Sequence, residues 1–380
     1  MKMKKLVSMA LTAAMAVSMV SAAAYADGTF YIGAIGPLTG AAANYGTAVV
    51  NGAQIAVDEI NAAGGIGGAQ IEYKGEDDEL DNEKSVNAYN TLKDWGMQIL
   101  VGPTTSGCSI AVSEKTKADN MFQLTPSGSA QDCTAYDNVF RVCFSDPNQG
   151  MASAKYIGEH GLATKVGVIY DSSDVYSSGI EATFEAEAAN QGIEIAVKEA
   201  FTADSNVDFS SQLQKCADAG VELIFLPIYY TQAGTILTQA MMMGLQTQWF
   251  GCDGLDGMLD MDNFDKSLAE GVMLLTPFAA DAEDELTQNF VAAYKAAYDV
   301  TPNQFAADAY DAVYTIKAAA EKAGITPDMS VSDIGEALKT AMTEITVEGL
   351  TGTITWTADG EPDKDPKAVV IQDGVYVSMQ

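Results

Sequence analysis

The sequence predicts an α/β protein built from two doubly wound lobes, and three observations lead there. From residue 29 onward, short apolar runs alternate with stretches of helical period, the rhythm of a parallel sheet covered on both faces. That rhythm stops near Phe140 and Arg141 and restarts with a strand-like run at 165–170, so a second unit of similar build follows the first. The length, 380 residues, exceeds what one small core needs and allows two or three domains.

Each element follows from its own residues. TFYIGAIG (29–36) is a strand ending in a Pro-Leu-Thr-Gly loop. Val49, Ala53, Ala56, Val57 and Ile60 then recur at helical spacing as far as the glycines at 64–68, which read as a helix stop and turn. A strand at 71–74, an acidic run at 76–81 and a helix at 82–95 come next. Strands at 99–101 and 122–124 each break into a short hydroxyl-rich loop, giving two successive strand-loop-helix corners. The second unit alternates strands at 165–170, 193–198, 221–226 and 248–251 with helices at 176–190, 209–219 and 232–243. A strand at 272–276 precedes helical segments at 282–298, 304–323 and 331–342, and late strands at 353–356 and 368–371 enclose a polar turn.

The double corner, VGPTTSGCSIAVSEKTKADNMFQLTPSGS (101–129), is the stretch around which the chain is organised. Loops at the carboxyl ends of neighbouring parallel strands lie side by side over a crevice. Helix N-termini there offer unpaired N–H groups and partial positive charge, a ready site for a carboxylate. Ser106 and Ser129 add hydroxyl donors, so the corner is expected to hold the carboxylate of a small ligand.

The N-terminus stands apart. Three lysines within residues 1–5, a 15-residue largely apolar run at 6–20 and Ala24-Tyr25-Ala26 read as a secretory signal cleaved before Asp27. No cysteine marks a lipid anchor at that junction, so a soluble periplasmic or secreted protein is expected. Without the three leader lysines, 17 basic residues face 52 acidic ones, and 17 − 52 gives a net charge of −35. Such a surface repels nucleic acid and anionic membranes. Five cysteines (Cys108, Cys133, Cys143, Cys216, Cys252) are an odd number in an exported chain, so at least one is free or pairs between chains; Cys133 and Cys143 are spaced to close a local loop.

Much familiar chemistry is missing. The lone histidine, His160, sits beside a glycine and reads as a helix end, and one histidine leaves little room for a zinc site or a His-based triad. The chain has no G-x-S-x-G elbow, Walker loop or complete G-x-G-x-x-G. The acidic run at 76–79 lacks EF-hand spacing and reads as a solvated loop. A binder with no catalytic residues, metal or cofactor is expected; an exported α/β enzyme would need a nucleophile and base that the sequence does not offer.

The motifs IGPLTG, NYG, VGPTTSG, LTPSGS, FRVCFSDPNQG, YDSSDVYSSG, LPIYY and FGCDG, in that order across nearly the whole mature chain, resemble the solute-binding proteins of ABC importers for branched-chain amino acids, type I periplasmic binding proteins of the Leu/Ile/Val-binding family. The resemblance implies two Rossmann-like lobes joined by three crossovers and closing on the ligand, with residues 27–145 plus 277–352 as lobe one and 146–276 plus 353–380 as lobe two. It implies that Ser106 and Ser129 hold the ligand α-carboxylate and Ser127 contributes backbone groups. Tyr229 and Asp253 then close over the ligand, the acid receiving its ammonium group, while Tyr45, Tyr176 and Phe305 line the cleft. Asp253 is shorter than the glutamate often found there, so the ammonium sits deeper or is met through water or by Asp308. The family's early disulfide has no counterpart, because the loop after Tyr73 lacks cysteine.

On residue type alone, Ser106 and Ser129 equally suit helix caps, Asp253 suits a turn before Gly254, and the tyrosines suit half-buried packing positions. The expected function is capture of a small, aliphatic amino acid for delivery to a membrane ABC permease by a monomeric receptor. The alternative is a sensor or an amide- or carboxylate-binding receptor on the same fold.

Overall fold

The computed structural model describes residues 28–364 and 366–379; the expected leader, residues 1–26, and the start at Asp27 lie outside them. The first unit runs β1 (Thr29–Gly36), α1 (Ala43–Ala62), β2 (Gln70–Asp77), α2 (Asn82–Trp95), β3 (Ile99–Val101), α3 (Ser106–Asp119), β4 (Phe122–Thr125) and β5 (Val139–Arg141). Its strands form one parallel sheet in the order β2-β1-β3-β4-β5. β3 and β4 are buried at every residue, as their uninterrupted apolar or neutral side chains require between two helical layers.

The second unit runs α4 (Asp146–Glu159), β6 (Lys165–Asp171), α5 (Val175–Ala188), β7 (Glu194–Phe201), α6 (Ser210–Ala219), β8 (Leu223–Leu226), α7 (Tyr230–Met243), β9 (Gln248–Gly251) and β10 (Met273–Thr276). After it come α8 (Glu285–Tyr298), α9 (Gln304–Ala323), α10 (Val331–Met342), β11 (Val347–Gly349), β12 (Gly352–Ile354), β13 (Lys367–Gln372) and β14 (Val375–Ser378). The second sheet is ordered β14-β13-β10-β9-β8-β6-β7, with β13 and β14 antiparallel at its edge. Its parallel part, read from β7, repeats the winding of the first sheet. Each sheet therefore has a switch point, between β1 and β3 and between β6 and β8, where loops at the strand ends leave a crevice.

The late helices return to the first sheet. α9 lies along α1 so closely that a Cβ on Gly52 would come within 2.1 Å of the Ala306 carbonyl oxygen. Tyr310 and Tyr314 of α9 both donate to Glu59 of α1, at 2.6 and 2.9 Å. α10 packs over β4, and Asn120 after α3 donates to Ser332 and Glu336. Residues 353–364 lean on β5: the Trp356 indole donates to the Arg141 carbonyl at 2.7 Å, and the Arg141 amide donates to the Gly360 carbonyl. The chain joins the second sheet at β13.

Several expectations need correction. The second corner ends in one 3-10 turn, Gln131–Thr134, instead of a helix. The guanidinium of Arg141 holds the carbonyls of Gly128, Ser129 and Gln131, and so fixes the segment as a loop. α4 was anticipated only by its end at His160, although its start is written in Ser145 as N-cap with proline in the first turn. β5, only three residues long, was also missed, as were β11 and β14, short and partly exposed hairpin partners of β12 and β13. Cys133 and Cys143 form no bridge; all five cysteines are free and buried, and burial pushes the Cys133 thiol up to about 12. The acidic run is more than a solvated loop: Asp77 accepts from the Leu38 amide and Thr39 hydroxyl and ties down the loop after β1. His160 does end a helix, at the C-cap of α4, its ring stacked on Tyr156.

The α1–α9 contact makes a direct prediction. Gly52→Ala must push two helix backbones apart and should destabilise the protein by roughly 1–3 kcal/mol, the usual penalty of overpacking, measured as a lower urea midpoint at unchanged slope.

Candidate functional site

The carboxyl ends of the strands nearest both switch points converge on one small hollow. From the first lobe it is lined by Tyr45 of α1, Thr104, Thr105 and Ser106 after β3, Ser127 after β4 and Phe305 at the start of α9. From the second come Tyr176 of α5, Tyr229 after β8, and Asp253 and Gly254 after β9. The lobes stand closed: the hollow leaves about 10 Å³ to the centre of a water molecule, about what one water needs. A molecule of amino-acid size does not fit the hollow in this arrangement of the lobes. Past Thr105 and Tyr229 lies a larger cleft, lined on the second lobe by Asp171, Asp174 and Ser177.

On the first-lobe wall the groups are donors. Thr105, the N-cap of α3, makes no side-chain capping bond, so the amides of the first helical turn remain for another acceptor. Ser106 is buried, and its oxygen accepts from the amides of Ser129 and Ala130, both at 3.1 Å. With its acceptor side so occupied, its proton is directed elsewhere. Ser127 donates to the Thr104 carbonyl at 2.7 Å and locks the two loops together. Ser129 is adjacent, but its side chain is not part of the lining; the amide of Ser129 is what supports Ser106.

The second-lobe wall carries the acid. Asp253 is buried, 4% exposed, and accepts from the Tyr176 hydroxyl at 2.7 Å. The same hydroxyl accepts from the Gly254 amide at 2.9 Å, and the Asp253 amide donates to Gln149 at 3.2 Å. Gly254 is required here, because a Cβ would lie 2.6 Å from the Tyr176 oxygen and 2.7 Å from the Ile228 carbonyl. Burial pushes the Asp253 acid up to about 6, against the lowering effect of Tyr176, Gln149 and Gly254.

Aromatic rings close the remaining sides. Tyr45 lies 4.3 Å from Phe305, 4.9 Å from Tyr230 and 5.4 Å from Tyr229, and Tyr176 stacks on Tyr229 at 5.1 Å, all between ring centroids. Tyr45 also bridges the lobes: its hydroxyl donates to the Gly254 carbonyl and accepts from the Tyr230 amide. Gln304 does the same at the start of α9, donating its side-chain amide to the Asp253 carbonyl and its backbone amide to Asp256, both at 2.9 Å.

Asp308 is not at the hollow. It faces Lys364 at 3.2 Å, both side chains buried, and so cannot meet a ligand ammonium as the shortness of Asp253 had led us to expect. Thr104, Thr105, Gln149, Gly254 and Gln304 were missed as site residues. Four of them stand in the motifs VGPTTSG, FRVCFSDPNQG and FGCDG, but their contributions are backbone geometry and second-layer bonds that residue type does not announce.

Because the Asp253 acid titrates near 6 in the fold against 3.8 ordinarily, the native protein holds the proton more tightly than the unfolded chain, and stability is lost as pH rises through about 6. Asp253→Asn should therefore stabilise the unliganded protein at pH 8, by up to about 3 kcal/mol, with the gain gone by about pH 4. Thermal or urea unfolding at the two pH values measures it.

Comparison with known proteins agrees with this architecture. The profile of the family described as periplasmic binding protein matches residues 29–374. A Leu/Ile/Val-binding protein homolog from Brucella melitensis is 32% identical over 364 residues, 95% of each chain. The leucine-, isoleucine-, valine-, threonine- and alanine-binding protein of Pseudomonas aeruginosa is 30% identical over 87% of each. The branched-chain amino acid transporter substrate-binding protein LivJ of Streptococcus pneumoniae, solved with isoleucine, superposes with a TM-score of 0.83 at 30% identity, over 92% of this chain and 98% of that one. A solute-binding protein from R. palustris solved with benzoate has a TM-score of 0.82 at 21% identity over 92% and 95%, a likeness of fold alone. The two-lobed α/β chain belongs to the periplasmic binding protein family.

Proposed function

We propose that this protein is an extracytoplasmic receptor that captures a free aliphatic amino acid between its lobes and presents it to an ABC importer. One observation carries the reading: opposite walls of one buried hollow bear opposite partners for a zwitterion. Ser106 and the uncapped amides of α3 suit a carboxylate, with Ser127 and Ser129 supporting the loop around them. Asp253 suits an ammonium group, and Tyr45, Tyr176, Tyr229 and Phe305 enclose the side chain. Charge-assisted bonds of this kind are strong where water is excluded. The names of the relatives, which bind Leu, Ile and Val, support the same class of ligand.

Benzoate, the ligand of one structural neighbour, offers nothing to a buried acid on the second wall. An acid facing a carboxylate without a cation would be desolvated and unpaired, which is costly. Asp253 therefore favours amino acids over simple carboxylates in this chain.

The mechanism is hinge closure. We place residues 27–145 and 277–352 in lobe one and 146–276 and 367–380 in lobe two; residues 353–364, expected in lobe two, run along β5 of lobe one before the chain joins β13. Ligand contacts complete only in the closed state shift the equilibrium toward it. The closed form then offers a permease one continuous surface. The leader-like stretch at residues 1–26 fits a receptor that works outside the cytoplasm.

A thermal-shift screen of the common amino acids, their 2-hydroxy analogues and benzoates tests the ligand class. An aliphatic amino acid should raise Tm, since a ligand that binds only the native state stabilises it by mass action. Stabilisation by benzoates or hydroxy acids alone would refute the reading. By calorimetry, Asp253→Ala should weaken amino acid binding by about 30-fold or more, the cost of truncating one member of a buried charge pair.

A further inference from the structure

On the flank of the second lobe an apolar groove lies open, sharing no lining residue with the interlobe hollow. Met241 and Met242 of α7 form one wall and Met261, Phe264 and Leu268 the other, around about 490 Å³ of space. Gly234 lets the walls meet at the floor: a Cβ there would lie 2.9 Å from the Met261 methyl carbon and 3.5 Å from the Phe264 ring. Four of the nine large apolar side chains that the described residues expose stand here, Met241 (53%), Met242 (74%), Met243 and Val207, whose carbonyl Gln239 of the groove holds. Exposed apolar side chains scattered singly are ordinary, whereas a contiguous group marks a contact surface.

Most polar groups of the groove are already engaged. Thr235 and Thr238 donate to the Thr231 and Gly234 carbonyls of their own helix, at 3.0 and 2.8 Å. Gln239 donates to the Val207 carbonyl at 2.8 Å and accepts from the Phe209 amide at 2.7 Å. The floor therefore offers contact area and few directional bonds. The rim carries charge of one sign: Asp262 and Asp265 line it, and no lysine or arginine does. The hydroxyl and amide of Ser267 hold the Asp265 carboxyl below its ordinary range, which keeps it an anion.

These features choose among occupants. Methionine, phenylalanine and leucine surface, adaptable at the thioethers, suits the apolar stripe of a helix. From Gly234 to Met242 α7 advances about 12 Å, room for roughly two turns of a partner helix. A second copy of this chain would bring acid against acid, and an anionic membrane is repelled in the same way. A segment rich in lysine or arginine is attracted. We propose that the groove docks a short cationic amphipathic helix of another protein, its apolar stripe on the methionines and Phe264 and its basic residues against Asp262 and Asp265. Docking here does not depend on what the hollow binds.

The test labels the protein with 13C-methyl methionine and titrates it, at about 150 mM salt to screen diffuse charge attraction, with a synthetic leucine/lysine amphipathic helix. The methyl resonances of Met241, Met242 and Met261, assigned with single Met→Leu variants, should shift saturably while those of the buried Met97 and Met342 stay in place. Met241→Gln combined with Met242→Gln should weaken binding roughly tenfold or more, and Asp262→Asn combined with Asp265→Asn about threefold with a shallower salt dependence. Absence of the shifts overturns the proposal. So does equal binding of a lysine peptide of the same charge without an apolar stripe, or of a leucine/glutamate helix. Shifts of these methyls with phosphatidylglycerol vesicles in place of the peptide, or on concentrating the protein alone, would name a membrane or a second copy as the occupant and overturn it too. Because the shifts are read on the unaltered chain, the result stands even if a variant fails to fold.

Discussion

A carboxylate withdrawn from water is the constraint on which this architecture turns. Asp253 is carried by a short loop after β9 that presses against two helix starts of the other lobe, and the hydroxyl of Tyr176 donates to its side chain. Desolvating that acid is unfavourable unless a cation joins it. Under the proposed function, closure without ligand stores a mismatch and closure with an ammonium group relieves it. The difference between the two is the free energy available to drive a hinge.

The contacts that close the lobes are backbone-directed and few. Tyr45 and Gln304 bond to the carbonyls of Gly254 and Asp253, and Asn44 bonds to the Gly257 carbonyl at 3.0 Å. All three sit at the beginnings of α1 and α9, the two helices whose tight packing makes the first lobe rigid. Because α1 and α9 are packed backbone against backbone, the loop of the second lobe meets one continuous surface. Arg141 plays the same part for the donor wall, holding the carbonyls of Gly128, Ser129 and Gln131 in one loop from a fully buried position. An arginine suits this task because its planar fork of donors serves several acceptors at once.

Much of this could be read from residues alone. The alternation of apolar runs and helical spacing located the strands of both parallel sheets, β5 excepted, to within a few positions, and the glycines at 64–68 marked the end of α1. Edge strands β11 and β14 escaped because half-exposed hairpins carry no core pattern, and the body of α4 escaped because its buried face is mostly small or polar, with Asp146, Gln149, Gly150, Ser153 and Ala154. Tyr45, Ser106, Ser127, Tyr176, Tyr229, Asp253 and Phe305 do meet at one hollow. Spacing could not show that Ser129 turns its hydroxyl from that hollow, that Asp308 is spent on Lys364, or that Gln149 and Gln304 fasten the Asp253 loop, since each depends on contacts between residues far apart in the chain.

The account stands on the two-ended recognition of a zwitterion, and a crystal structure of the protein grown with its tightest-binding amino acid tests that most directly. The ligand carboxylate should lie within hydrogen-bond distance of Ser106 and the first amides of α3, with the ammonium group against Asp253. A ligand lying with its ammonium toward α3, or bound outside the hollow between the lobes, would contradict it.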